Sequence, residues 1–242
     1  MIARLRGILL LTFWFGAIGV IAPFVIMLGI VTKNENFIYT PVRFFVRVGL
    51  ALVGVRVRVS GLEGLDPKQT YLFTPNHQSM IEAPLVVTYL GRNPAFLAKK
   101  ELFKYPIFGF GMRVIGVVPV DRGNSQAAIE SARKGAENLR KGKPYVVYPE
   151  GTRTQRGRLL PFKKGAFMMA IQAGVPVVPV TISGSAAIMP KGEVRVTPGT
   201  VRITVHEPIS TAGFNRDNIA ELMETTRERI LSALSDEEKA AV

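Results

Sequence analysis

The stretch YVVYPEGTRTQRG, residues 145–157, places a short apolar run directly before a polar loop that contains glycine and arginine. A short apolar run that is bounded by turn residues is typical of a buried strand. Gly151 permits a tight turn between that strand and the cations that follow it. Because open α/β sheets bind their ligands in loops at strand ends, this stretch predicts a ligand-binding loop in an α/β fold.

Apolar, strand-like runs alternate with helix-like segments throughout the chain after Val53. The predicted strands are 55–59, 71–74, 95–98, 116–120, 145–148 and 175–182, and the predicted helices lie near 84–91, 101–113, 125–141 and 164–173. This alternation predicts an α/β fold with a largely parallel sheet that helices cover on both faces. A hairpin at 194–205, around Pro198-Gly199, would make the sheet mixed. An amphipathic helix at roughly 215–235 is predicted to close the chain.

The first 53 residues are apolar and basic, and they are predicted to anchor a second domain that comprises residues 54–242. From Gly7 to Thr32 there are 26 consecutive uncharged residues, enough for a helix to cross a bilayer core about 30 Å thick. Pro23 would break or kink that helix, so two shorter helices folded back in one leaflet are the alternative. A cleaved signal peptide fits less well, because the run is long and lacks a small-residue cleavage site at its end.

Basic residues flank the apolar run on both sides, and Glu35 is the one acid among residues 1–60. This pattern is typical of a segment held at a cytoplasmic leaflet. Arg43 and Arg47 lie one helical turn apart among aromatic and aliphatic residues, as in an interfacial helix. The predicted membrane contacts are Trp14, Phe15, Phe24, Arg43 and Arg47. The net charge of +13 then indicates an anionic membrane or phosphorylated ligands rather than nucleic acid.

The stretch NHQSMIEAP, residues 76–84, contains one of the chain's two histidines and a carboxylate five positions later. On one straight helix His77 and Glu82 would lie on different faces, so they can meet only if His77 precedes the helix. One interpretation makes them a general base and its orienting acid. The other makes Ser79 and Glu82 a capping box, but Pro84 would then cost a helix hydrogen bond. A helix that begins at Pro84 avoids that cost.

Two further polar loops follow predicted strands, with Lys99 and Lys100 in one and Arg122 in the other. Arg153, in the loop of the opening stretch, presents a planar fork that suits two phosphate oxygens. The alternatives are that Arg153 pairs with Glu150, that Arg122 pairs with Asp121, and that the lysines form a solvated surface. Together, one histidine, carboxylates and cations at successive strand ends indicate proton transfer beside a phosphate.

Other chemistries lack their residues in this sequence. There is no cysteine, and His206 is the one other histidine, which leaves little for a transition metal. The stretch GFGMRVIG lacks the third glycine of a dinucleotide-binding motif, and no G-x-S-x-G elbow marks a serine nucleophile.

Five motifs, in order and spacing, resemble the glycerophospholipid acyltransferase superfamily, and most closely its bacterial 1-acylglycerol-3-phosphate acyltransferases. The motifs are NHQSMIE, KKELFKYPIFG, GVVPVDR, EGTR and VPVVPV, and the resemblance covers roughly residues 50–210. Glu82 is a departure, because the family usually has aspartate there. The longer side chain keeps the charge and the acceptor atoms, so we expect activity to survive.

The resemblance implies transfer of an acyl group from acyl-CoA or acyl-ACP to the sn-2 hydroxyl of 1-acylglycerol-3-phosphate, which gives phosphatidic acid. It implies that His77 is the general base and Glu82 its orienting acid, with no metal and no tightly bound cofactor. The implied residues for glycerol and phosphate are Lys99, Arg122, Glu150, Gly151, Thr152 and Arg153. The implied location is the inner membrane, with the catalytic domain on the cytoplasmic face.

Two other functions remain open at this point. A related acyltransferase would act on glycerol-3-phosphate or on another lysolipid. A non-catalytic, membrane-attached lipid-binding protein is the alternative from another class, and Glu82 in place of aspartate motivates it.

Overall fold

The computed structural model of the chain describes residues 1–121, 123–154 and 158–240. The helices are α1 (Ile2–Thr32), α2 (Asn36–Leu52), α3 (Glu82–Tyr89), α4 (Pro106–Val114), α5 (Ser125–Arg140), α6 (Lys164–Ala173), α7 (Ser185–Ile188), α8 (Ile219–Ser232) and α9 (Asp236–Ala240). The strands are β1 (Val55–Ser60), β2 (Leu72–Pro75), β3 (Ala95–Lys99), β4 (Val118–Val120), β5 (Tyr145–Val146), β6 (Val177–Ser183) and β7 (Gly199–Val205). Short 3₁₀ turns occupy Leu62–Gly64 and Lys100–Lys104.

The described strands form one mixed sheet in the order β1-β7-β6-β2-β5-β3-β4. Strands β2 to β6 run parallel to one another, whereas β7 is antiparallel to β6 and parallel to β1. The predicted α/β fold, with a mixed and largely parallel sheet flanked by helices, is therefore confirmed.

The hairpin predicted at 194–205 is wrong. Only its second half is a strand, and β7 finds its partners in β1 and β6. The first half serves as a connecting segment, because its amides bond elsewhere. The N–H of Val196 donates to the carbonyl of Ala3 (2.8 Å), and that of Thr197 donates to Ile188 (3.0 Å).

Two hydrophobic layers enclose the sheet, since successive side chains of a strand point to opposite faces. Leu72 and Tyr145 face the layer built by α5, α6 and α8. Their neighbours Phe73 and Val146 face the layer to which α1, α2 and α3 contribute. The helices thus hold the loops at the ends of β2 and β5 from both sides.

The N-terminal segment is a helical hairpin, but its turn does not fall at Pro23. Helix α1 runs through Pro23 without a break, and α2 packs back along it. The indole N–H of Trp14 donates to the carbonyl of Phe45 across this hairpin (3.2 Å). Leu10 of α1 and Leu50 of α2 are buried in the same core layer as the strands. The anchoring segment therefore shares its core with the sheet.

Two helix boundaries differ from the predicted ones. Helix α3 begins at Glu82, so Pro84 is its third residue rather than its first. The first four amides of a helix have no partner within it, so a proline there costs no hydrogen bond. The predicted helix 101–113 is divided, because Pro106 opens α4 after the 3₁₀ turn.

Candidate active site

The loops that follow β2, β5 and β6 meet at one edge of the sheet. Strand β2 lies between β5 and β6 and is parallel to both, so the three strands end on the same side. The loop after β2 carries His77, and the loop after β5 carries residues 150–153. The N–H of Thr154 donates to the carbonyl of His77 (2.8 Å), which joins the two loops directly.

His77 lies in the turn before α3, and its ring reaches the first residue of that helix. Its Nδ1 is 2.7 Å from Oε2 of Glu82. Since a carboxylate only accepts, Nδ1 carries the proton in the neutral ring and Nε2 keeps its lone pair. The ring stacks on Tyr148, with 3.9 Å between centroids, and its side chain is 14% exposed. The imidazole is thus held in one orientation and one tautomer.

The carboxylate of Glu82 has no solvent-exposed surface. It accepts hydrogen bonds from the N–H of Gln78 (2.9 and 3.0 Å) and from the hydroxyl of Ser185 (2.5 Å), besides that of His77. Burial of an unpaired carboxylate is costly, and these donors offset that cost. The capping-box alternative does not form, because the hydroxyl of Ser79 donates to the carbonyl of Met189 (2.6 Å).

The other polar residues of the loop are bonded to the segment that follows β6. The side chain of Asn76 forms two hydrogen bonds with the main chain of Ile182 (2.7 and 2.9 Å). The segment near Pro190 pairs with Ser79 in an antiparallel bridge. The histidine loop is therefore fixed by residues more than a hundred positions away in sequence.

Glu150 faces main-chain amides and does not pair with Arg153. Its carboxylate accepts from the N–H of His77 (2.6 Å) and from that of Leu160 (2.9 Å). The residue is only 2% exposed, and this burial raises the pKa of its carboxyl to about 7. Glu150 thus braces the backbone of the proposed base.

Cations surround the turn that follows Glu150. Gly151 adopts a φ of +70°, and a Cβ at this position would lie 3.0 Å from the side chain of Lys163. The ammonium of Lys191 donates to the carbonyl of Arg153 (2.6 Å). The guanidinium of Arg153 is half-buried and has no carboxylate partner in the described part of the chain. It is therefore available to an anionic ligand.

Fewer contacts with neighbouring residues fix the side chains of the remaining predicted phosphate ligands. Thr152 is exposed, and Lys99, at the end of β3, is exposed with its ammonium 3.7 Å from Glu101. Lys100 pairs with Asp121 (2.5 Å), which supports a structural role for that lysine. Arg122 lies outside the described residues.

The five predicted membrane contacts separate into two groups. Phe15 and Phe24 are both 66% exposed on α1. Trp14 is half-buried against α2. Arg43 donates to Val87 (3.2 Å), Arg92 (2.6 Å) and Asn93 (2.8 Å), and Arg47 lies over the ring of Tyr89. The two arginines tie α2 to α3 and the loop after it.

The sequence matches known acyltransferases across most of this site. A family model described as Acyltransferase matches residues 56–183, which is more than half of the chain. The chain belongs to this acyltransferase family. The match includes the histidine loop, the 150–153 turn and β6 up to Ser183.

Several similar proteins carry one name. A 1-acyl-sn-glycerol-3-phosphate acyltransferase of Arabidopsis thaliana chloroplasts is 35% identical over 86% of this chain and 60% of its own length. The Saccharomyces cerevisiae protein of that name is 33% identical over 91% of this chain and 73% of its own. The chain spans 44% of a chloroplastic relative from Brassica napus.

A solved structure matches the fold of this acyltransferase closely. The crystal structure of the 1-acyl-sn-glycerophosphate (LPA) acyltransferase PlsC from Thermotoga maritima superposes with a TM-score of 0.80. The two sequences are 29% identical, and the match covers 94% of each chain. The N-terminal helices are thus included in the shared architecture.

Sequence reasoning missed the residues of this acyltransferase that support the site from other loops. They are Asn76, Lys163, Ser185, Lys191 and Arg227; the last donates to the carbonyls of Leu159 and Leu160 and lies over the ring of Phe162. Only the N-H-x-S motif could have indicated Asn76. Within the described ranges, no group of three or more His, Cys, Asp or Glu residues could hold a metal ion.

The raised pKa of Glu150 gives a prediction for stability against pH. The folded chain holds this proton up to a pH of about 7, whereas the unfolded chain releases it near 4.5. The contribution of Glu150 to the free energy of unfolding is therefore lost as the pH rises from 4.5 to 7. Relative to Glu150→Gln, the wild type should lose up to about 3 kcal/mol across this window.

Chemical denaturation of both proteins at pH 5 and pH 7.5 measures that difference. Glu228→Gln, at an exposed position of α8, controls for the loss of one carboxylate. Parallel pH profiles for the wild type and Glu150→Gln would contradict the assignment.

Proposed function

We propose that this acyltransferase transfers a fatty acyl group from an acyl thioester to the sn-2 hydroxyl of 1-acylglycerol-3-phosphate, which gives phosphatidic acid. The observation that carries the proposal is the contact between His77 and Glu82, at 2.7 Å. It fixes the tautomer in which Nε2 keeps its lone pair, and the adjoining turn carries Arg153, whose guanidinium has no carboxylate partner among the described residues. The names of the similar proteins support the acceptor, and acyl-CoA or acyl-ACP is the proposed donor.

In the proposed mechanism, Nε2 of His77 takes the proton of the acceptor hydroxyl as its oxygen attacks the thioester carbonyl. The imidazolium that forms is stabilised by the buried carboxylate of Glu82. When the tetrahedral intermediate collapses, the C–S bond breaks and the departing thiolate takes the proton from the ring. An ester and a free thiol result, and the histidine returns to its neutral state.

Direct transfer is favoured over an acyl-enzyme. Ser79, the hydroxyl residue nearest to His77 in sequence, is fully buried and donates its proton to the carbonyl of Met189. A hydroxyl engaged in this way is not activated by a base as a nucleophile would be.

The phosphate of the acceptor is proposed to bind at the turn of residues 150–153. Arg153 supplies the planar fork, while Gly151 and Thr152 provide a backbone that approaches the anion closely. Lys99 and Arg122 are proposed as further cations by family similarity. Glu150 contributes by bracing the turn against His77 rather than by contact with the anion.

Substitution of either dyad residue tests the chemistry. His77→Ala should lower kcat at least about a hundredfold, since general base catalysis is lost. Glu82→Gln should also lower it at least about a hundredfold, because the amide cannot stabilise the imidazolium. Glu82→Asp should keep most of the activity, since it restores the charge and the residue usual in the family.

Transfer of a labelled acyl group to lysophosphatidic acid, glycerol-3-phosphate and other lysolipids measures these rates and the choice of acceptor. Thermal melting of each variant controls for folding. A wild-type rate of acyl transfer in Glu82→Gln would contradict the proposed role of the His77–Glu82 pair. A preference for glycerol-3-phosphate would contradict the proposed acceptor.

Arg153→Ala tests the phosphate site. The loss of charge-assisted hydrogen bonds should raise KM for lysophosphatidic acid at least about tenfold. Arg133→Ala is the control, because this arginine is exposed on α5 and pairs with Glu130 and Glu137. An equal, small effect of both substitutions on steady-state kinetics would contradict the role of Arg153.

We also propose that the N-terminal hairpin inserts into one leaflet without crossing the membrane. Helix α1 is long and apolar enough to span a bilayer. It is nevertheless attached to the rest of the chain near both ends, by the bond from Val196 to Ala3 and by the packing of Ile26 on Gly111 of α4. A crossing helix would carry one of these attachments to the far side.

The exposed apolar surface supports this arrangement. In the described ranges, the exposed large hydrophobic residues lie on α1, α2 or residues 102–110, apart from Met1, Met80, Ile129 and Val194. Exposed apolar residues concentrated on elements that pack against one another are typical of a membrane contact. Attachment to the cytoplasmic face of the inner membrane remains part of the proposal.

The double variant Phe15→Glu/Phe24→Glu tests the membrane contact. Each phenyl ring buried in lipid is worth about 1.5–3 kcal/mol, so vesicle binding should weaken by at least roughly a hundredfold. Cosedimentation with phosphatidylglycerol-containing vesicles measures this. Ile129→Glu, at a similarly exposed position of α5, should bind as the wild type does. Undiminished binding of the double variant would contradict the proposed surface.

A further inference from the structure

We propose that Ser185 is a positioning residue for the His77–Glu82 pair, and that Glu238 in the C-terminal helix fixes the turn that presents it. The inference rests on the proposed function of that pair. Ser185 follows β6 by two positions and lies outside every motif that identifies the family in the sequence.

The hydrogen bond from Ser185 gives the two carboxylate oxygens of Glu82 different partners. Oε2 of Glu82 faces Nδ1 of His77 (2.7 Å), while Oε1 accepts the hydroxyl proton of Ser185 (2.5 Å). The N–H of Gln78 is shared between both oxygens and therefore does not fix their rotation by itself. The terminal torsion of a glutamate is broad, so a second donor on one side is needed to aim the other oxygen at the imidazole.

Ser185 is itself held by a rigid turn. Both Glu82 and Ser185 have no exposed surface, so water does not substitute for the hydroxyl. Gly184 adopts a φ of +84°, and a Cβ there would lie 2.8 Å from the carbonyl oxygen of Thr200. The turn therefore packs closely on β7, and only glycine fits.

Glu238 closes this turn from the C-terminal side. Its carboxylate accepts from the hydroxyl of Ser183 (2.5 Å) and from the N–H of Gly184 (3.0 Å). Ser235 also donates to it, through its N–H (3.1 Å) and its hydroxyl (2.9 Å). A chain of contacts thus runs from α9 through the turn and Ser185 to Glu82 and His77.

A purely structural role for Ser185 would make different predictions. A hydroxyl that only satisfies a buried carboxylate would affect the free energy of unfolding and leave kcat and its pH profile unchanged. A positioning hydroxyl also withdraws charge from the carboxylate. Without it, more of the carboxylate charge of Glu82 faces the imidazolium, and the carboxylate is no longer held in the rotation that aims Oε2 at Nδ1 of His77.

Ser185→Ala should therefore lower kcat roughly tenfold at neutral pH and leave KM for lysophosphatidic acid within about twofold. The acidic limb of the kcat profile should move to higher pH. Ser185→Thr, which keeps the hydroxyl, should recover most of kcat and restore the acidic limb of the kcat profile to its wild-type pH. Ser131→Ala is the matched control, since this buried hydroxyl donates to the carbonyls of Pro119 and Ala127. It lies on the other side of the sheet from Glu82 and, within the described residues, forms no hydrogen bond with it.

Glu238→Ala tests the same inference with Ser185 in place. It should lower kcat about two- to fivefold and move the limb in the same direction, whereas Glu237→Ala, exposed on the same helix, should do neither. A wild-type kcat in Ser185→Ala, or a lower kcat with an unmoved limb, would overturn the inference. If the wild type itself transfers no acyl group, the proposed function fails instead.

Discussion

The burial of one carboxylate constrains much of the site. Glu82 has no contact with solvent, and a carboxylate in that position must find its donors within the protein. Those donors come from the turn before α3 and from the start of α7, which are far apart in sequence. The loop after β2 and the loop after β6 must therefore close on each other before Glu82 can be accommodated. The imidazole of His77 gains its fixed tautomer from this closure.

A second buried carboxylate, that of Glu150, also bonds to His77, but through the backbone of that residue rather than through its ring. Glu150 accepts hydrogen bonds from the main-chain N–H groups of His77 and Leu160, and burial raises the pKa of its carboxyl to about 7. One acid thus orients the ring of His77, while the other holds the backbone of the same residue. Two carboxylates of similar burial take separate roles because their donors differ.

The sequence was informative where the signal is local. Each predicted strand overlaps an observed one, because short apolar runs between turn residues indicate buried strands in any context. The boundary of α3 and the hairpin at 194–205 were wrong, since Pro84 and Pro198 have more than one allowed position. Ser185 and Lys191 were missed for another reason. Their partners, Glu82 and Arg153, are distant in sequence, so no spacing or motif relates them.

The segment from Met189 to Val196 relates the proposed active site to the proposed membrane surface. The carbonyl of Met189 holds Ser79, Lys191 holds the turn at Arg153, and Val196 holds the N-terminal turn of α1 at Ala3. This segment of eight residues thus contacts the histidine loop, the turn at Arg153 and helix α1. Since short segments with fixed ends stretch little, the distance between the exposed face of α1 and Arg153 is nearly constant. A lipid acceptor whose phosphate lies at the membrane surface would then reach His77 without leaving the bilayer.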